Sequence, residues 1–546
     1  MIDLLIDNLK KASVAVAGED ILNNKKLDFY LDIPKNEKFG DYSSTLPLIL
    51  SKFAHTSPMN LAQSIVDNLQ KYKFDFLDHI EIAKPGFINF YLTPDYWFKA
   101  LWQLNNNDFF INIGNNQKIQ IEFVSANPTG PLHVGHGRCA VFGDALANLL
   151  KKTGYCVEKE YYINDAGNQI KLLGHSVLAR YNQFTDHTSP FPENGYQGEY
   201  IIDIAKDLCN RGVNLSEYTI DEISLQAATI ILELIKNDLG LIGVTFDNWF
   251  NEQSLYETGK VKETIDYLKK EGFIFEENNA LWMRTTLFGD QKDRVLVKSS
   301  GEMTYYASDL AYHKDKFHRG FKKIINIWGA DHHGYIDRVQ AGIKALKYDE
   351  EFLTVLLVQL VKLVKAGNQI NMSTREGSFV SLSEVVAEVG KDACRFYFLL
   401  RRHDSQLEFD LDLAKEQSKE NPVYYVQYAH ARICSILAEA KKANVAYDNV
   451  SEKELMNLSS PIEKKLIKKL TLYPLVIKLA SNSLEPHRIT FYLIELAKLF
   501  HSYYKDYRII SSDTTITRAR IFLLLIIKKI IFDGLSILGI SAPEHM

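Results

Sequence analysis

Between about residues 115 and 400 the chain alternates short apolar strand-like runs with longer helical ones, and this alternation restricts the fold more than any other feature. The clearest strands fall at residues 119–124, 157–163, 324–329 and 355–364. Strands that alternate with helices predict a parallel sheet covered on both faces. Residues 1–112 mix helical patterns with a short strand at 86–91 and close in the polar run Asn105-Asn106-Asn107-Asp108. From about residue 410 apolar residues recur at helical spacing with few glycines, which predicts a helical bundle. The expected layout is an N-terminal α+β domain over 1–112, an α/β domain over 113–404 and an α-helical domain over 405–546.

Composition narrows the function classes. The 546 residues are 46% hydrophobic and 24% charged, enough for a sizeable core and against global disorder. A formal net charge of −5 argues against a simple basic nucleic-acid-binding module but leaves room for an enzyme with a local basic surface. Cys139, Cys156, Cys209, Cys394 and Cys434 form no CxxC pair, so no structural zinc or disulfide framework is expected and a reducing cytoplasm fits. Acidic residues interrupt the N-terminal apolar run, which reads as an amphipathic helix start rather than a signal peptide. The most apolar stretch, 521–540, contains Lys528, Lys529 and Asp533 and reads as a buried helix rather than a membrane span.

The first chemical constellation follows the strand that ends near Val124. Pro128 and Pro131, with Gly130 between them, block regular structure, and a helix can begin around Leu132. His133 and His136 then share one face of its first turn, and Gly135 removes a side chain where a flat ligand would approach. A helix N-terminus offers free N–H groups and partial positive charge to phosphate. Imidazole donors placed there suit adenylyl transfer, in which a carboxylate attacks the ATP α-phosphate and charge builds on departing pyrophosphate. Two other readings stand beside this one. Gly135, Gly137 and Ala140, with Glu158 about twenty residues on, imitate a dinucleotide fingerprint, although about ten residues and two prolines separate them from the strand. The histidines alone would also pass for a structural pair or half of a metal site.

The run Ala126-Asn-Pro-Thr-Gly-Pro-Leu-His-Val-Gly-His136 resembles the HIGH signature of class I aminoacyl-tRNA synthetases, in the form seen in bacterial arginyl enzymes. About 235 residues later, Asn371-Met372-Ser373-Thr374-Arg375 resembles the KMSKS loop of that class, with Asn371 and Thr374 where lysines would stand. The resemblance implies a Rossmann-like catalytic domain with His133, His136 and Arg375 as catalytic residues and Lys365 as a weaker upstream cation. It places ATP, with Mg2+ on its phosphates, along Ala126, Asn127, Pro128, Thr129, Gly130, Pro131, Leu132, Val134 and Gly135. Asp331 and His332 would lie on the adenosine side, and Met372 and Ser373 would reach in from the loop. No metal is implied as a structural ligand, while the adjacent His332 and His333 leave a di-histidine reading open.

Recognition of a guanidinium needs acids that pair with a planar cation. Glu122 and Asn127 flank the first turn, and Tyr305 and Asp309 lie four apart on one helix face. These positions, with Ser125, resemble the arginine-binding residues of the family, Asn127 and Ser125 lying near the α-amino group. The stretch between the two signatures is short for an added editing domain, which fits a guanidinium-satisfying site that rejects analogues unaided. Phe39-Gly-Asp-Tyr42 and Lys84-Pro-Gly-Phe87 are similar to the family's additional domain, implicated at the tRNA elbow. Asp392-Ala-Cys-Arg395, Tyr424 to Arg432 and Leu538 to Glu544 resemble its anticodon-binding region. Lys464, Lys465, Lys468 and Lys469 form a basic stripe that either meets tRNA phosphates or is a solvated face. The resemblance implies a cytoplasmic, monomeric ligase joining L-arginine to tRNA(Arg) with ATP, and generally needing tRNA for activation. The alternative from another class is a synthetase-like protein that binds RNA without charging it, which the substitutions at 371 and 374 would suit.

Overall fold

The computed structural model describes residues 2–18, 31, 32, 34, 36–165, 167–185, 190–370 and 380–546. The chain divides into two compact units. One comprises Met1–Asn107, Val445–Thr471 and Ile510–Ile526; the other comprises Asp108–Asn444, Leu472–Ile509 and Ile527–Met546.

In the first unit β1 (Tyr42–Ser44), β2 (Leu77–Ala83) and β3 (Phe87–Leu92) form an antiparallel sheet in the order β1-β3-β2. The strand expected at 86–91 is β3. Helix Pro94–Gln103 buries Trp97, Phe98 and Leu101 and packs on helix Pro461–Thr471, whose buried face is Leu466, Ile467 and Leu470. That face recurs at i, i+1 and i+4, and the lysines lie on the remaining positions.

The second unit is built on five parallel strands in the order β11-β10-β4-β5-β6. They are β4 (Lys118–Phe123), β5 (Cys156–Ile163), β6 (Asn248–Asn251), β10 (Lys323–Gly329) and β11 (Leu353–Val358). Between β6 and β10 the chain makes a small antiparallel sheet of β7 (Ile274–Glu277), β8 (Ala280–Met283) and β9 (Arg294–Val297). The central strand β4 is followed by β5 on one side and faces β10 on the other. The order therefore reverses between β4 and β10, and the carboxyl ends of these strands open a crevice where α/β sheets bind ligands.

One expectation needs correction. The run 355–364 is not one strand but two, separated at Gln359 and Leu360. β12 (Val361–Lys365) leaves the main sheet to pair with β14 (Leu407–Asp410) in parallel and β13 (Asn368–Gln369) in antiparallel. The break is held by buried Arg138, which donates to the carbonyls of Gln359 at 2.8 Å, Ser405 at 2.8 Å and Arg402 at 2.9 Å. The polar Gln359 falls at the break, but one polar residue in an apolar run does not distinguish a change of sheet from an exposed strand position. Among the described residues, no helix is long and apolar enough to cross a membrane. The stretch rich in isoleucine and leucine instead lies within helix Thr514–Ile537 and buries Ile521, Leu523, Leu524, Ile527, Ile530 and Ile531.

Three tail motifs meet physically in this unit. Arg395 is fully buried and donates from Nε to Leu538 O (2.9 Å), from Nη1 to Ile242 O (2.9 Å) and from Nη2 to Asp144 (2.6 Å). Its guanidinium fills the space beside Gly539, where a Cβ would come within 2.1 Å of it. Asp392 accepts from Gln427 at 2.9 Å and from the backbone N–H of Ser541 at 3.3 Å.

Candidate functional site

The turn between β4 and helix Val134–Lys152 forms its own cap. His133 is the N-cap, and its Nδ1 accepts from the N–H groups of Gly135 (3.1 Å) and His136 (3.3 Å). The N–H of His133 donates back to Nδ1 of His136 at 3.4 Å. The two rings stack with centroids 3.7 Å apart and planes 15° from parallel. With both Nδ1 atoms accepting, each neutral ring carries its proton on Nε2, available as a donor. Burial, reinforced by the neighbouring His133, pushes His136 down to about 3, and burial also lowers His133. Both imidazoles are therefore held neutral, and they act as hydrogen-bond donors rather than as fixed cations. Gly135 lies against the His133 ring, where a Cβ would fall 2.9 Å from it, and Gly143 lets the helix sit on Phe123 of β4. Beyond the turn, Ser381 is bridged to His133, and the N–H of Leu382 donates to Leu132 O at 2.8 Å.

At the reversal of the sheet lies a cavity of about 220 Å³. Glu122 from β4 with Val124, Ser125 and Asn127 after it, Tyr162 from β5 with Asn164 after it, and Trp328 from β10 with His332 after it line the cavity. Helix Tyr305–His318 adds Asp309, Tyr312 and His313, and Tyr335 faces Asp309 and donates its hydroxyl to that carboxylate. Burial pushes the Asp309 carboxyl up to about 7, with Glu252 and Glu122 adding to the shift against the hydrogen bond from Tyr335. Asp309 makes no ion pair among the described residues. Glu122 differs: Lys316, itself fully buried, donates to it at 2.6 Å. Val124 and Ser125 both hold positive φ, +68° and +38°, a costly conformation for a β-branched residue and its neighbour. Ser125 is fixed there by donating to Glu122 (3.3 Å) and accepting from the N–H of Tyr162 (3.1 Å).

Comparison with known proteins adds the decisive observation. The family models described as tRNA synthetases class I (R), catalytic domain, as Arginyl tRNA synthetase N terminal domain and as DALR anticodon binding domain match residues 100–398, 2–92 and 426–546. The chain is 48% identical over 524 residues to an arginine–tRNA ligase of Syntrophotalea carbinolica, covering 94% of each. It is 46% identical over 529 residues to one of Desulfosudis oleivorans, covering 95% of each. The chain belongs to the arginyl-tRNA synthetase family. Its fold is likewise similar to the Thermus thermophilus arginyl-tRNA synthetase structure, with a TM-score of 0.78, 21% identity and all of both chains covered.

Measured against the family expectation, the residues separate into groups. Glu122, Ser125, Asn127, Asp309 and His332 line the one cavity. Tyr305 does not join them: it lies with Asn127, Asn164, Asn168, Gln169 and Ile170 around an adjoining cavity of about 180 Å³. Its hydroxyl reaches Gly167, where a Cβ would stand 2.6 Å from it. Asn127 donates to Gln169 at 2.7 Å. Ala126 and Thr129 are held through their carbonyls by the hydroxyls of Tyr161 and Tyr200, both at 2.8 Å, and Leu132 N–H donates to Asp238 at 3.3 Å. Pro128 is buried, Gly130 and Pro131 are partly exposed in the same turn, and Val134 opens the helix as a buried residue. Asp331 is exposed and lies 3.6 Å from His332. Lys365 pairs with Glu388 at 2.7 Å. Asn371, Met372, Ser373, Thr374 and Arg375 lie outside the described residues. Of the lysine stripe, Lys464 and Lys465 are exposed, while Lys468 is tied to Asp41 at 2.5 Å and stands over Trp97.

Sequence reasoning missed Lys316 and Tyr335. Lys316 was nonetheless signalled, because Asp309, His313 and Lys316 recur at i, i+4 and i+7 along a helix that is otherwise mostly buried. No comparable pattern marks Tyr335, which comes from the turn after β10.

Proposed function

We propose that the cavity beside β4 and β10 holds the arginine side chain, and that the His133–His136 turn holds the phosphates of ATP. The chain is an arginine–tRNA ligase of class I, with arginine, ATP and tRNA as its reactants. Arginine's carboxylate attacks the α-phosphorus of ATP, forming the mixed anhydride arginyl-adenylate and releasing pyrophosphate. A hydroxyl of the terminal ribose of tRNA then attacks the anhydride carbonyl, forming the ester and releasing AMP.

In this reading the Nε2–H donors of His133 and His136 meet phosphate oxygens as charge develops on them. Ala126, Asn127, Pro128, Thr129, Gly130, Pro131, Leu132, Val134 and Gly135 form the nucleotide's bed, with Asp331 and His332 toward the adenosine. Met372, Ser373 and Arg375 supply the second clamp on the leaving pyrophosphate, with Mg2+ sharing that charge. Asp309 pairs with the guanidinium, with Glu122, Ser125, Asn127 and Tyr305 around the substrate. Lys464, Lys465 and Lys469 meet tRNA phosphates, and the protein works as a cytoplasmic monomer.

One observation carries the arginine assignment: Asp309 is an acid without an ion pair among the described residues, in a cavity otherwise lined by neutral or already paired groups. The test is aminoacylation of bulk tRNA with each of the twenty amino acids. Charging is expected with arginine alone, and binding of tRNA without charging by any amino acid would reverse the reading.

A further inference from the structure

Asp238 is a carboxylate in a place that the stability of its own helix disfavours. It is buried and makes no ion pair among the described residues. It also stands in the last turn of helix Ile220–Leu241, the end at which the helix dipole opposes negative charge. Two donors hold it there. The N–H of Leu132 donates to its Oδ2 at 3.3 Å, and the hydroxyl of Ser383 donates to the same carboxylate. Leu132 directly precedes the His133 cap of helix Val134–Lys152, and Ser383 lies in the first turn of helix Leu382–Val389. Asp238 therefore joins the starts of two helices, where their dipoles favour the charge that its own helix opposes.

The two starts already touch along one line. His133 is bridged to Ser381, and the N–H of Leu382 donates to Leu132 O at 2.8 Å. Gly137 lies so close to Leu382 that a Cβ there would fall 2.5 Å from its side chain. Ser381 follows Arg375 by six positions, so this contact ties the histidine turn to the chain that comes after the second signature. A bridge along one line leaves two segments free to pivot about it, and a carboxylate reaching in from a third element removes that freedom. We infer that Asp238 is a positioning residue for adenylate formation: it fixes the start of the histidine helix against segment 381–383, and with it the direction in which the two imidazoles donate. The inference rests on the reading of that turn as the phosphate site. Direction matters there, because a misplacement of about 1 Å can cost on the order of 10²-fold in rate.

The test is single-turnover adenylation at saturating arginine and ATP with tRNA present, each rate referred to titrated active sites so that unfolded protein does not count. Asp238→Ala should slow the step roughly tenfold, within the loss that misplacement allows, and leave the arginine KM close to wild type. Asp238→Asn keeps an oxygen that accepts from Leu132 and Ser383, and it should recover most of the rate. A cycle with His133→Ala separates positioning from stability. If Asp238 acts through the turn, its loss should slow the His133→Ala enzyme much less than it slows the wild type. An unchanged rate in Asp238→Ala, or an equal slowing in both backgrounds, would make Asp238 a structural residue and overturn the inference. Where Asp238→Ala does not fold, Ser383→Ala, at the half-buried end of the same contact, takes its place with the same non-additivity expected and the same results against it. Failure of the phosphate reading looks different, since His133→Ala and His136→Ala would then adenylate at the normal rate. Slow histidine variants beside a normal Asp238→Ala would remove the role of Asp238 alone.

Discussion

The histidine turn and the cavity proposed for arginine both lie at strand ends but are built in opposite ways. The turn closes on itself within four residues: each histidine caps the backbone of the other, and two prolines and a glycine set the approach. The cavity draws its polar groups from β4, β5, β10 and helix Tyr305–His318, and its central pair, Glu122 with Lys316, spans 194 residues. A site closed by local bonds keeps its geometry when distant packing shifts, whereas one assembled from several elements depends on all of them for its charge balance. The contrast extends to protonation. His136 is held near 3 and does not change state at physiological pH, while Asp309 is held near 7, where it does.

That comparison breaks most sharply at Asp309. Asp309→Asn should weaken arginine by about 2–5 kcal/mol, because a desolvated cation loses its one uncommitted carboxylate. The KM for ATP should stay close to wild type, and steady-state kinetics over both substrates reads the two effects separately. An arginine KM within twofold of wild type would end the assignment of this cavity.

The reverse dissociation tests the turn. His133→Ala or His136→Ala should slow adenylate formation by roughly 10²- to 10³-fold if each imidazole donates to the transition state, with little change in arginine affinity. Single-turnover adenylation measures this directly. A normal rate in both variants would reduce the pair to a helix cap.

A smaller effect distinguishes the two regions without mutation. If arginine pairs with ionised Asp309, as proposed, its affinity should fall as pH drops below about 7, approaching tenfold per unit. Calorimetry in two buffers of different ionisation enthalpy should register proton release on arginine binding near neutral pH. The linkage to folding runs with the opposite sign. A carboxyl raised in the folded state holds its proton more tightly there than in the unfolded chain, so its contribution favours folding at low pH and is lost as pH rises from about 4 to 7. His136, neutral across this range, should add no acid limb to the adenylation rate above about pH 4. Affinity for arginine that is flat from pH 6 to 8 would contradict the picture of Asp309.

How much could be read in advance follows the same division. Strands at 119–124, 157–163 and 324–329 were legible because β-branched and aromatic residues recur through them between helical stretches, and the helix start, expected around Leu132 and found at Val134, because its breakers are neighbours in sequence. Glu122 and Asp309 were recognisable as acids near strand ends and helix starts. That one of them was already paired was not, since the helical spacing that puts Lys316 on the face of Asp309 says nothing of its contact with Glu122, 194 residues away. Tyr305 was grouped with Asp309 on helical spacing and on resemblance to the family's arginine-binding residues. The structure parts them, because one turn of helix is enough to face different cavities. The split of 355–364 into two sheets depended on Arg138, more than 200 residues away.

By itself the amino-acid sequence determined the alternating α/β plan, the self-capped histidine turn and the membership of the family, because each rests on residue types at short, regular spacing. Tertiary structure alone decided which acid the cavity leaves unpaired, where the protons sit at neutral pH and which strand leaves the main sheet. Those outcomes depend on desolvation and on charges brought together from remote positions, and Coulomb and burial energies follow distance in space and not distance along the chain.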